Sequence, residues 1–72
     1  MYNDNMKFNE SLLLAMKEAG LTNKTLAENL GVSLPTTYQW ITKNKAPRVS
    51  VYLRLIKLLP DLVKDQDQWI FS

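Results

Sequence analysis

Gly31 is the residue that most limits how this chain can fold. It stands between two runs of helical spacing, one carrying Leu26, Ala27 and Leu30, the other Thr37, Trp40 and Ile41. Residues three and four apart share one side of a helix, so each run has an inward stripe that a single short helix cannot bury alone. A glycine readily takes the left-handed conformation that ends a helix. Val32 can then close the corner, and Ser33 offers a side-chain oxygen to cap the second helix. The stretch from Thr22 to Lys43 therefore reads as two short helices joined by a tight turn. Helices crossing over so short a connection must touch, which accounts for a residue as small as Ala27 at the point of closest approach.

The same spacing leaves Leu34, Pro35, Tyr38, Gln39 and Thr42 on the outside of the second helix, as a row open to a partner. Pro35 is compatible with a helix here because the first turn has no intrahelical acceptor for the N–H that proline lacks. These residues resemble the helix-turn-helix of phage repressor and Cro-type proteins, the lambda-repressor-like domains. The resemblance is carried by Leu26-Ala27, Leu30-Gly31-Val32, Ser33 and Trp40, then by the Asn44-Lys45-Ala46-Pro47-Arg48 segment and a further helix, and it covers roughly Asn9 to Leu59. One position departs from the family: Thr37 stands where Ile or Val is usual. It is close to Val in shape but carries a hydroxyl that needs a partner when buried.

The resemblance implies a recognition helix in the major groove of duplex DNA. Its base-contacting residues would be Ser33, Leu34, Pro35, Thr36, Tyr38, Gln39 and Thr42. Because Leu34 and Pro35 are apolar where relatives often carry polar side chains, base hydrogen bonds fall chiefly to Gln39, whose amide can pair with adenine. Asn23 stands at the family's position for a contact to the DNA backbone, at the positive end of a helix capped by Thr22, with Lys24 beside it. The plain structural alternative is that Leu34 and Tyr38 belong to a protein contact.

Charge distribution supports nucleic acid more than net charge does. The total is only +2, but residues 22–57 carry Lys24, Lys43, Lys45, Arg48, Arg54 and Lys57 against Glu28 alone, a balance of +5. The flanks are acidic, at −1 before residue 22 and −2 after residue 57. Lys43, Lys45 and Arg48, next to the second helix, are placed to hold phosphates and so fix register without reading sequence.

The remaining segments read as support. Asn9 is the expected cap of a first helix that ends at Gly20 and buries Leu12, Leu13, Met16 and Ala19. Ser50 is the expected cap of a helix from Val51 to Leu59, with Tyr52, Leu55, Ile56 and Leu59 facing inward and Arg54 a weaker candidate for the DNA backbone. Pro60 stops that helix or opens a fifth, on which Leu62, Gln66, Trp69 and Ile70 share a face. A short C-terminal strand that pairs between subunits is the alternative. Residues 1–7 read as a loose arm and residues 61–72 as a dimerisation tail, with Trp69, Ile70 and Phe71 as the dimer contact.

The expected fold is thus all-α: a compact bundle of four to five short helices containing a helix-turn-helix, forming one domain over residues 1–72. Seventy-two residues leave little core for a deep substrate pocket, and there is no His and no Cys. Asp61, Asp65 and Asp67 have nothing converging on them and read as a solvated face. No catalytic residue, metal, cofactor or small-molecule ligand is expected. No run approaches the roughly 20 apolar residues of a membrane span, and the polar start lacks a signal layout, so a cytoplasmic protein is expected. The function these points imply is a small phage or prophage repressor, the domain being the entire protein, which binds a palindromic operator as a homodimer. The alternatives are an antitoxin that also regulates its own promoter, or a module that binds only protein.

Overall fold

The computed structural model describes the backbone of residues 6–70 and the side chains of residues 7–64. It is all-helical in class, with four α-helices: α1 (Phe8–Ala19), α2 (Asn23–Leu30), α3 (Leu34–Lys43) and α4 (Val49–Leu58). A 3-10 segment, Pro60–Gln68, comes after them. Two-residue strands β1 (Met6–Lys7) and β2 (Trp69–Ile70) pair in parallel, Met6 with Trp69 and Lys7 with Ile70. No described helix is long and apolar enough to cross a membrane.

Capping sets the helix limits. Gly20 and Gly31 end α1 and α2 in the left-handed conformation at φ 72° and 69°. A Cβ at Gly31 would meet only the Arg54 guanidinium at 3.6 Å, an ordinary contact, so the backbone angle and not crowding is what calls for glycine. At the start of α2 the Thr22 hydroxyl accepts from the Thr25 N–H at 3.2 Å, while the Thr25 hydroxyl accepts from the Thr22 N–H at 2.8 Å. That is a reciprocal cap built from two threonines.

The core joins all four helices and the 3-10 segment through Phe8, Leu12, Ala15, Met16, Leu26, Leu30, Trp40, Val51, Leu55, Leu59 and Leu62. Ala27 is buried, as its place in the turn requires, and Val32 and Ile41 pack on the core edge. Thr37 is fully buried, and its hydroxyl reaches both Asn23 Oδ1 and, at 3.0 Å, the Leu34 carbonyl. The departure from Val is thereby satisfied.

Several expectations need correction. The first helix begins at Phe8 and not behind an Asn9 cap; the Lys7 N–H donates to the Glu10 carboxylate at 3.0 Å. Leu13 is 46% exposed and Ala19 is exposed, whereas Phe8, Ser11 and Ala15 are buried. The run Leu12-Leu13-Leu14 offers two overlapping stripes, and the one containing Phe8 buries the larger side chain. Helix α4 starts at Val49, before Ser50, with Arg48 at its cap position. Tyr52 and Ile56 are only half-buried.

The end of the chain also differs. No fifth α-helix runs to Ile70: the 3-10 segment ends at Gln68 and the chain becomes extended. After Leu62 and Val63, the sequence Lys64-Asp65-Gln66-Asp67-Gln68 has no apolar stripe to hold against the core, while Trp and Ile favour extended structure. Met6 and Lys7 are accordingly paired backbone and not part of a loose arm. The chain does end in a strand, but the strand pairs with Met6 and Lys7 of the same chain and not between subunits as the alternative had it.

Candidate nucleic-acid interface

Helix α3 is held by its neighbours at both ends. Its C-terminus is fixed by an exchange with α1: the Asn9 side-chain amide donates to the Ile41 carbonyl at 2.9 Å, and the Asn44 Oδ1 accepts from the Asn9 backbone N–H at 2.9 Å. The first-turn N–H groups of a helix and its last-turn carbonyls have no partners of their own. Here one helix start and one helix end supply each other. Asn44 can do this because it ends α3 in the left-handed conformation at φ 54°, tolerated by asparagine, with its side chain buried. At the other end, the Thr37 hydroxyl links α3 to Asn23 on α2.

Arg54 resolves a similar shortage on α2. Its Nη1 donates to the Leu30 carbonyl at 2.9 Å, in the last turn of α2. An arginine expected to be solvated, or to touch the DNA backbone weakly, is instead tied to the turn that precedes α3.

The outward row falls where the helical spacing puts it. Leu34, Pro35, Tyr38, Gln39 and Thr42 are exposed, and Thr36 is half-buried. Ser33 occupies the cap position, but its hydroxyl bonds the Thr36 hydroxyl at 2.7 Å and makes no side-chain bond to a backbone N–H of α3. The Thr42 hydroxyl donates to the Tyr38 carbonyl at 2.8 Å. Three of the seven residues expected to touch bases therefore have their hydroxyl groups engaged within the protein. Gln39 and the Tyr38 hydroxyl carry the remaining side-chain polarity of the row.

A surface groove of about 510 Å³ runs along one side of α3. Ser33, Thr36 and Gln39 line it from the helix, Lys45 and Arg48 from the following loop, over a floor that includes Val32, Trp40, Pro47 and Val51. The structure thus joins Gln39 to two of the expected phosphate-binding cations. Lys24 and Lys43 are exposed but do not line it.

Asn23 and Tyr38 meet instead at a second groove of about 550 Å³, whose walls include Leu13, Met16, Leu21 and Ile41. The Asn23 amide has its oxygen turned to Thr37, so that its NH2 group is the part of the side chain that can donate elsewhere. Of the tail residues expected at a dimer contact, the backbone of Trp69 and Ile70 pairs with Met6 and Lys7; their side chains, and Phe71 altogether, lie outside the described residues.

Among the described residues no cluster of acidic, histidine or cysteine side chains could hold a metal ion. Asp61 pairs with Lys64 at 3.4 Å on the exposed surface. The Asn9–Asn44 exchange and the Arg54 tie were not foreseen from sequence. An asparagine just past a helix end was the one available signal, since it marks a left-handed cap.

No protein-family model matches this chain, and no curated protein and no solved structure shows significant similarity to it.

Proposed function

We propose that this chain is a DNA-binding transcriptional regulator in which α2 and α3 form a helix-turn-helix and α3 enters the major groove. The observation that carries the reading is the groove beside α3, which exposed Gln39 lines together with the cap residue Ser33 and the cations Lys45 and Arg48. An amide that can pair with adenine, flanked by phosphate-binding groups on a helix locked at both ends, is what sequence reading in a groove requires. In this arrangement Gln39 specifies, while Lys43, Lys45 and Arg48, with Asn23 and Lys24 at the start of α2, hold the DNA backbone and position the helix. Two copies reading the two halves of a palindrome, repression by blocking polymerase, and action in the cytoplasm complete the reading.

A second reading, a protein-binding module, draws on the apolar groove of Leu13, Leu21, Tyr38 and Ile41. The two are separated by selecting bound sites from random duplexes at low salt. An enriched inverted repeat is expected. Changing Lys43, Lys45 and Arg48 singly to Ala should then weaken every duplex alike and lower the salt slope by about 1 per residue, while Gln39→Ala should remove preference at one base pair. Absence of binding to any duplex, or binding indifferent to salt, would overturn the DNA reading.

A further inference from the structure

We infer that the leading end of α3 reads the C5-methyl group of a pyrimidine in the major groove. This deepens the DNA-binding reading and rests on it. The end of the helix is poor in available polarity. Pro35 has no N–H, and the Thr36 N–H donates to the Ser33 carbonyl at 3.1 Å. The Ser33 and Thr36 hydroxyls bond each other, which engages one of their two hydrogens, and the Thr37 hydroxyl is buried. The largest exposed side chains at this end are hydrocarbon: Leu34, 48% exposed, and the exposed Pro35 ring. Tyr38 lies one turn further along the same side, 58% exposed.

A groove edge offers one apolar feature to such a surface. Thymine carries a methyl at C5, and 5-methylcytosine carries the same group, whereas uracil and cytosine do not. Leu34 and Pro35 would discriminate by desolvating that methyl against their side chains, while Gln39, further along the helix, makes its hydrogen bonds at another base pair. Specificity then has two components of different chemistry, one dependent on a methyl and one on an amide.

The test starts from the duplex recovered by site selection, with each thymine replaced in turn by deoxyuracil, which deletes only the methyl. Burying one such carbon in apolar contact changes affinity by about fourfold, so weakening of that size is expected at one or two thymines per half-site. In Leu34→Ala and Pro35→Ala, both on the exposed surface and harmless to the core, thymine and deoxyuracil should bind more nearly alike. A parallel series compares cytosine with 5-methylcytosine at the same positions; tighter binding of the methylated base there, with thymine no better than deoxyuracil, would assign the contact to methylated cytosine. Equal binding of methylated and unmethylated bases throughout, in a duplex still bound specifically, overturns the inference and leaves the DNA-binding reading standing. A methyl preference unchanged in both variants overturns it as well, because another residue must then be the reader. Failure of the unmodified chain to bind any duplex removes the reading beneath it.

Discussion

Replacing Asn44 should destabilise the protein by separable amounts, because this residue does two things. Its Oδ1 accepts the Asn9 N–H at 2.9 Å, and its backbone sits at φ 54°. In Asn44→Gly the left-handed conformation is retained without strain, and the loss is confined to the side chain. The Asn9 N–H, half-buried in the first turn of α1, is then left without its partner, which costs about 1–2 kcal/mol. In Asn44→Ala the same bond is lost and a Cβ without local hydrogen bonding is forced into the left-handed region, adding roughly 1 kcal/mol. A chain of 72 residues has only about 4–11 kcal/mol of stability in total, so the alanine variant removes a large share of it. Urea unfolding followed by circular dichroism would measure both variants, and thermal midpoints should fall by about 4–8 °C per kcal/mol. Asn44→Ala within about 0.5 kcal/mol of the parent would refute the account, as would a glycine variant less stable than the alanine one.

Buried Thr37 and half-buried Tyr52 give further expected outcomes. Thr37→Val keeps the shape but removes the hydroxyl from Asn23 and the Leu34 carbonyl; a loss of about 1 kcal/mol or less is expected in the same unfolding assay, because half-exposed Asn23 can turn to water. A loss above about 2 kcal/mol would mean that the hydroxyl is the main tie between α2 and α3. Burial raises the Tyr52 phenol above its ordinary 10.0. The folded state therefore holds this proton more tightly than the unfolded state, and the associated stability, complete below pH 10, declines as pH rises through the folded value. Unfolding curves across that window, compared with Tyr52→Phe, should show a steeper alkaline loss for the parent.

Much of the candidate interface was legible in the sequence because its determinants are local. Gly31 as a left-handed terminus, Thr22 as a cap, and the division of α3 into buried Thr37 and Trp40 and exposed Gln39 all arise from spacing and backbone preference within a few residues. The hydrogen bonding of the outward row was not legible. Ser33 was placed correctly at the cap position, yet only the folded geometry turns its hydroxyl to Thr36.

By itself, then, the order of residues determined the all-helical class, the α2–turn–α3 unit and the face that α3 turns outward, since periodicity and capping act over one or two turns. Tertiary structure alone decided which of three consecutive leucines in α1 is buried, that Asn9 donates to both Asn44 and Ile41 at the end of α3, and that Arg54 closes the end of α2. It also turned the final segment from an expected helix into a 3-10 turn and a strand beside Met6 and Lys7. Such choices depend on which unpaired backbone groups and which apolar surfaces distant segments bring together, and that information appears only when the chain closes on itself.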